Sequence, residues 1–305
     1  MNAIAIQCLP SATTDATRLA ARLNVPVHEI ALHRFPDGEL RVTVEPPATT
    51  TIVYTPLDRP NDKLVALLFA AEALRREGAQ RLVLVAPYLC YMRQDTAFLQ
   101  GEAISQKVVG RLLAETFDRV ITVDAHLHRT SNIEDVFPGI EADDLSAMPA
   151  IADYLRASGI EPGTVVVGPD AESQAWASAL AGLIGARWAV AQKTRHGDRS
   201  VDISFADAKA IVGRPALLID DIVSSGGTLI ACARGLLAAG AKTVDAVITH
   251  ALFPSDMTRD FSKAGIRSIR STYSVPHPTN AIALDVILGS ALLREIREVR
   301  QGTSL

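Results

Sequence analysis

Short runs rich in Val, Ile and Leu alternate with stretches of helical periodicity from one end of the chain to the other. Strand candidates are Ala3–Gln7, Thr51–Tyr54, Arg81–Ala86, Val120–Asp124, Thr164–Gly168, Trp188–Gln192, Ala216–Ile219 and Thr243–Thr249. Helix candidates between them include Lys63–Glu77, Ala103–Thr116, Met148–Ala157 and Thr228–Ala239. In the last of these, Leu229, Cys232, Ala233, Leu236 and Leu237 recur at the spacing of one helical face. Such alternation predicts βαβ units, hence an α/β fold of mostly parallel sheets flanked by helices. The element order runs twice, which predicts tandem domains over 1–142 and 143–285. Ile140–Leu145 carries no period and is the expected junction. A final helix over about 286–301 is expected to pack back on the first domain.

Composition excludes several classes. With 305 residues, 48% hydrophobic and 21% charged, the chain has material for two buried cores. Only 5% is aromatic, so those cores rest on Ala, Val, Ile and Leu, as in sheets covered on both faces. A net charge of −4 without a basic tract argues against a nucleic-acid partner. No apolar stretch is long enough for a membrane span, and Met1–Ile6 has no basic leader. The three cysteines, Cys8, Cys90 and Cys232, have no paired spacing and are expected to be buried and reduced. A cytoplasmic location is the expectation.

In open parallel sheets, ligands sit at the carboxyl ends of the strands. Polar clusters fall there at Pro87–Asp95, Asp124–His128, Gly168–Ser173 and Asp220–Thr228. The last is the most informative. An apolar strand ends in Asp220 and Asp221, then come Ser224, Ser225, Gly226, Gly227 and Thr228, then a helix. Glycines let backbone amides turn inward, hydroxyls add donors, and the helix N-terminus favours an anion. Paired acids repel a phosphate but suit sugar hydroxyls, so the whole predicts a phosphorylated sugar. The plainer alternative is a solvated βα turn with an Asp near a helix start.

This segment resembles the phosphoribosyl-diphosphate loop of type I phosphoribosyltransferases and of their relatives, the ribose-phosphate pyrophosphokinases. Four further segments resemble the pyrophosphokinases in particular, in the family's order. Arg34-Phe35-Pro36-Asp37-Gly38-Glu39 is similar to the motif in which an aromatic ring and two acids hold ATP, which implies Phe35, Asp37 and Glu39. Tyr91-Met92-Arg93-Gln94-Asp95 is similar to the motif whose Arg and Gln also reach the nucleotide, implying Arg93 and Gln94. Asp124-Ala125-His126 matches an element that supplies a His near magnesium and the phosphates. Gly168-Pro169-Asp170 matches one whose Asp contacts metal or ribose. Lys193-Thr194-Arg195 resembles the base of a catalytic flexible loop, and Arg195–Arg199 is expected to be mobile. Taken singly, Phe35–Gly38 is a β-turn, Arg93–Asp95 a charged loop, Lys193–Arg195 a basic turn and Arg195–Arg199 a surface turn.

The resemblance implies two tandem type I phosphoribosyltransferase-like domains and transfer of diphosphate from ATP to the anomeric hydroxyl of ribose 5-phosphate. It implies His126, Lys193 and Arg195 as catalytic, and ribose 5-phosphate held by Asp220, Asp221 and Ser224–Thr228. It also implies a homo-oligomer whose ATP site, His126 included, is shared between subunits. Mg²⁺ is the implied cofactor, held at His126 and Asp170; His126-Leu127-His128 also allows a transition metal, but oxygen-rich surroundings favour magnesium. There is no Gly-x-x-x-x-Gly-Lys-Ser/Thr loop, so ATP is not held in P-loop fashion. Three departures stand out: Ala171-Glu172-Ser173-Gln174 where small residues are usual, Thr96-Ala97 where basic residues are common, and Ser224 in place of an acid. A phosphoribosyltransferase leaves Phe35–Glu39 and Arg93-Gln94 without purpose. A non-catalytic relative would be expected to lose His126, Asp170, Lys193 and Arg195, all present.

Overall fold

The computed structural model describes residues 3–196, 200–205 and 208–302 and divides into two compact units, 1–145 with 284–305, and 146–283. The first unit contains β1 (Ile4–Cys8), α1 (Thr13–Leu23), β2 (Val27–Glu29), β3 (Ala31–Arg34), β4 (Leu40–Thr43), β5 (Thr50–Tyr54), α2 (Pro60–Arg76), β6 (Arg81–Val85), α3 (Ser105–Ala114), β7 (Arg119–Val123) and β8 (Glu141–Leu145). Six strands form one parallel sheet in the order β2-β1-β5-β6-β7-β8. β1, β5 and β7 are buried along their whole length, which is why they lack the alternation of a half-exposed strand. α2 presents Ala66, Leu67, Ala70, Ala71 and Leu74 to a core that includes Val53, Leu82, Leu84 and Val120. Small alanines let that helix approach the sheet closely.

The second unit contains α4 (Met148–Ser158), β9 (Val165–Gly168), α5 (Gln174–Ile184), β10 (Arg187–His196), β11 (Ser200–Phe205), β12 (Pro215–Val223), α6 (Gly227–Ala238), β13 (Thr243–Ala251), α7 (Thr258–Lys263), β14 (Ile266–Thr272) and β15 (Asn280–Ile282). Its sheet runs β11-β10-β9-β12-β13-β14-β15, parallel except for the β10–β11 pair. The face of α6 formed by Leu229, Cys232, Ala233 and Leu236 packs into a core with Val165, Val167, Leu218, Ile248 and Phe261. The last helix, α8 (Asp285–Gly302), belongs to the first unit. There Glu295, 1% exposed, receives hydrogen bonds from Arg81 at 2.8 Å and Arg119 at 2.9 Å. Cys8, Cys90 and Cys232 are free and buried.

Both sheets share a topology. The strand after β1 is added on one side and β5 on the other; the strand after β9 is added on one side and β12 on the other. Each sheet therefore has a topological switch point, the place at the carboxyl edge where open α/β sheets bind their ligands.

Two sequence expectations are corrected. Ile140–Leu145, read as an aperiodic junction, mostly forms β8, paired with β7 from Arg119↔Glu141 to Val123↔Leu145. Edge strands need no continuous apolar run, and Asp143 and Asp144 of β8 are engaged by Arg119 and by the Ala125 amide. The boundary between units accordingly falls after Leu145. Arg195 and His196, read as loop, lie in β10 opposite Val201 and Ser200, because β10 extends as an antiparallel hairpin beyond its parallel neighbour. The rest of that expected loop, 197–199, lies outside the described residues.

Candidate functional site

At the switch point of the second unit, β12 does not stop at Ile219. Its pairing with β13 continues through Asp220↔Ile248 and Ile222↔His250 to Val223↔Ala251. Strand alternation therefore sends the two acids to opposite faces of the sheet. Asp220 is half-buried; Asp221 is 4% exposed, and its Oδ1 accepts the Ile222 amide at 2.7 Å. Ser224 and Thr228 are half-buried and Ser225 exposed. Gly226 caps α6 with φ 68°, a left-handed conformation that suits glycine. Space demands glycine too: a methyl there would lie 2.7 Å from both Met257 Cε and Phe261 Cε1. Gly227 opens the helix, and no atom beyond its own stretch of chain lies within 4 Å of where its Cβ would be. The loop thus turns tightly over a packed base and leads through exposed Gly227 into the N-terminus of α6, and a helix N-terminus suits an anion.

Across the same switch point, β9 ends at Gly168, whose missing Cβ makes room for Ser173. Asp170 closes a capping box. Its carboxylate accepts the Ser173 amide at 3.3 Å, and Ser173 Oγ accepts the Asp170 amide at 3.2 Å. Glu172 is exposed. Lys193 and Arg195 lie in β10, opposite Ile203 and Val201 of β11.

In the first unit, Phe35–Glu39 forms the tip of the β3–β4 hairpin. Phe35 donates its amide to the Glu39 carbonyl, Gly38 donates to the Phe35 carbonyl, each at 2.9 Å, and Gly38 has φ 96°. Asp37 Oδ1 accepts the Glu39 amide at 3.1 Å, so one of the two acids shapes the turn. The Phe35 ring is 37% exposed and packs edge-on against His33. The strands of this hairpin carry no sequence signal of their own, because their residues are mostly exposed and have no buried face.

Arg93, exposed, and Gln94, half-buried, follow β6 after Tyr91, which has φ 63°. His126 follows β7 after Asp124, which has φ 41°. Arg59, after β5, has φ 48°. Three of the four described non-glycine residues in the left-handed region thus lie at the carboxyl edge of this one sheet. Strained backbone of this kind concentrates at functional sites, and no sequence pattern announces it. His126 Nδ1 and His128 Nε2 lie 3.1 Å apart with the rings edge to face, so one imidazole orients the other.

A mostly parallel sheet whose central strand carries two acids near its carboxyl end, followed by a glycine-opened helix at the switch point, is the arrangement of a phosphoribosyltransferase-type domain. Residues 148–273 match the phosphoribosyl transferase domain model, and residues 4–116 match the N-terminal domain of ribose phosphate pyrophosphokinase. The ribose-phosphate pyrophosphokinase of Methanopyrus kandleri is 31% identical over 88% of this chain and 91% of that protein. That of Brucella melitensis is 32% identical over 93% and 94%. The crystal structure of phosphoribosylpyrophosphate synthetase from Mycobacterium smegmatis matches 98% of this chain and 99% of its own, with a TM-score of 0.82 at 25% identity. The chain belongs to the ribose-phosphate pyrophosphokinase family.

Proposed function

We propose that this enzyme transfers the β,γ-diphosphate of ATP to the anomeric hydroxyl of ribose 5-phosphate, giving phosphoribosyl diphosphate and AMP. The observation that carries this reading is the pairing of a pyrophosphokinase-type first domain with a second domain whose switch point opens on Gly226, Gly227 and the amides of α6. The 5-phosphate sits on that loop, with Ser224, Ser225 and Thr228 adding hydroxyl donors. Asp220, on the strand just before the loop, holds ribose hydroxyls. Asp221 acts from the opposite face and stiffens the strand end through its bond to the Ile222 amide.

ATP is bound by Phe35, Asp37, Glu39, Arg93, Gln94 and His126. The exposed ring and acids of the β3–β4 hairpin tip suit a segment that reaches a neighbouring copy, so we infer a homo-oligomer with shared ATP sites. In the reaction the anomeric oxygen bonds to the β-phosphorus and its proton is released to water, while the bond from that phosphorus to the oxygen bridging to the α-phosphate breaks and AMP departs. Such transfer depends mainly on positioning and charge neutralisation. Lys193 and Arg195 neutralise the charge that moves towards AMP.

The donors fit Mg²⁺ held chiefly by substrate. Asp170 offers carboxylate oxygen, whereas His126 offers a nitrogen already turned towards His128, and magnesium prefers oxygen, water and phosphate. When bound it screens the triphosphate charge. Among the described residues no helix is long and apolar enough to cross a membrane, and we place the enzyme in the cytoplasm. The test is an assay of purified protein for AMP. We expect AMP only when ATP, ribose 5-phosphate and Mg²⁺ are all present. AMP formation independent of ribose 5-phosphate would contradict the proposal.

A further inference from the structure

The acids of β8 take no part in the chemistry proposed above, yet they divide cleanly between two tasks. Asp143 turns to Arg119, at 2.7 Å, and so joins the ion-pair network that includes Glu295. Asp144, on the opposite face by strand alternation, turns to the segment after β7. Its Oδ1 accepts the Ala125 amide at 2.8 Å, and the next carbonyl along, that of Leu145, accepts the Asp124 amide, also at 2.8 Å. Two consecutive amides are thus clamped by two consecutive residues of an edge strand.

The clamped segment is the one that needs clamping. Asp124 holds φ 41°, and the Leu127 amide closes on the Ala125 carbonyl at 2.7 Å. The chain reverses within three residues and delivers His126 against His128. A left-handed non-glycine residue persists only where its surroundings over-determine it. The Leu145 carbonyl is backbone and is supplied by any side chain at that position. The Asp144 carboxylate is the replaceable half of the clamp.

We infer that Asp144 is a positioning residue for His126: its carboxylate holds the Ala125 amide and thereby fixes where the imidazole stands relative to the triphosphate. The inference rests on the role given to His126 under the proposed function. Asp144 is itself exposed, so its removal leaves the core intact. What is lost is the aim of the histidine, and a misplacement of about 1 Å costs on the order of a hundredfold in rate.

The experiment uses the full chain with Asp144→Ala, Asp144→Asn and His126→Ala. Asp144→Ala is expected to lower kcat by roughly ten- to a hundredfold with KM for ribose 5-phosphate changed less than about threefold. Its Tm should fall by no more than about 4 °C, as for an exposed site. Asn keeps an acceptor oxygen, so Asp144→Asn should hold kcat within about threefold of the parent. A second readout is independent of turnover: in the ligand-free protein labelled with ¹⁵N-histidine, the His126 ring signals should shift in Asp144→Ala and return in Asp144→Asn. Parent kcat in Asp144→Ala with unshifted His126 signals would overturn the inference. So would loss in both variants alike, which means that the carboxylate's charge matters rather than its bond. If His126→Ala keeps full turnover, the assignment of His126 fails, and the ring signals still decide whether Asp144 positions it.

Discussion

Replacing Gly226 by Ala probes, with a single methyl group, the base of the loop to which the sugar phosphate is assigned in the proposed function. Two separate costs can be worked from the structure. At φ 68° an L-residue in the left-handed region costs about 1–2 kcal/mol. The added Cβ would also lie 2.7 Å from Met257 Cε, 2.7 Å from Phe261 Cε1 and 2.8 Å from Phe261 Cζ. The methionine end can swing aside. The phenylalanine cannot easily follow: it is 1% exposed and stacked edge-on against Phe253 at 5.0 Å, and Phe253 in turn packs on His277 at 4.4 Å. Overpacking of that kind adds about 1–3 kcal/mol, for a total of about 2–5 kcal/mol. At the size of the second unit this lowers Tm by roughly 6–15 °C. Because strain is relieved by moving the loop off Phe261, the amides at the start of α6 move too, and ribose 5-phosphate should bind more than about tenfold more weakly by calorimetry. Gly227→Ala is the control. Beyond its own stretch of chain its methyl meets no protein atom within 4 Å, so stability should stay within about 1 kcal/mol of the parent or rise, while affinity should fall if, as proposed, that space is where the phosphate sits. A Gly226→Ala protein within about 0.5 kcal/mol of the parent, or a Gly227→Ala protein equally destabilised, would refute the reasoning.

Other predictions concern the ion-pair network and the β10 cations. Glu295→Ala strips the buried Arg119 of one partner while Asp143 remains, and should destabilise the first unit by about 3 kcal/mol in denaturant unfolding, near the low end for breaking a buried pair. Burial alone would push the Glu295 carboxyl up, but hydrogen bonds from Arg81 and Arg119 outweigh it and hold the pKa below its ordinary 4.5. A depressed folded pKa contributes stability that is present above 4.5 and lost as pH falls through the folded value, so the parent should lose more stability than Glu295→Gln on acidification below that point. Lys193→Ala and Arg195→Ala should cut kcat heavily and leave ribose 5-phosphate affinity intact; equal loss in both quantities would mean ground-state binding instead.

The central strands were legible because burial on both faces writes continuous Val, Ile and Leu runs, as in Ile4–Cys8 or Val165–Gly168. What escaped was wherever hydrogen bonding rather than burial makes the strand. Three of the five residues of β8 are acidic, and β12 runs on through Asp220 and Asp221 because β13 continues to pair with it. The β3–β4 hairpin tip was visible as a turn at Phe35–Gly38, but not as a strand pair. At the site, the motifs marked which residues to inspect without giving their directions. That Asp220 and Asp221 face opposite ways, that Asp170 caps a turn, and that His126 leans on His128 all depend on backbone angles, such as φ 41° at Asp124, which no residue pattern encodes.

The most direct measurement follows phosphorus itself. In a ³¹P NMR time course of the enzyme with ATP, ribose 5-phosphate and Mg²⁺, the β- and γ-resonances of ATP should give way to a diphosphate bonded to C1 of ribose 5-phosphate, matched mole for mole by AMP. Appearance of ADP with a ribose bisphosphate, or of AMP with free diphosphate from the outset, would contradict diphosphate transfer to the sugar.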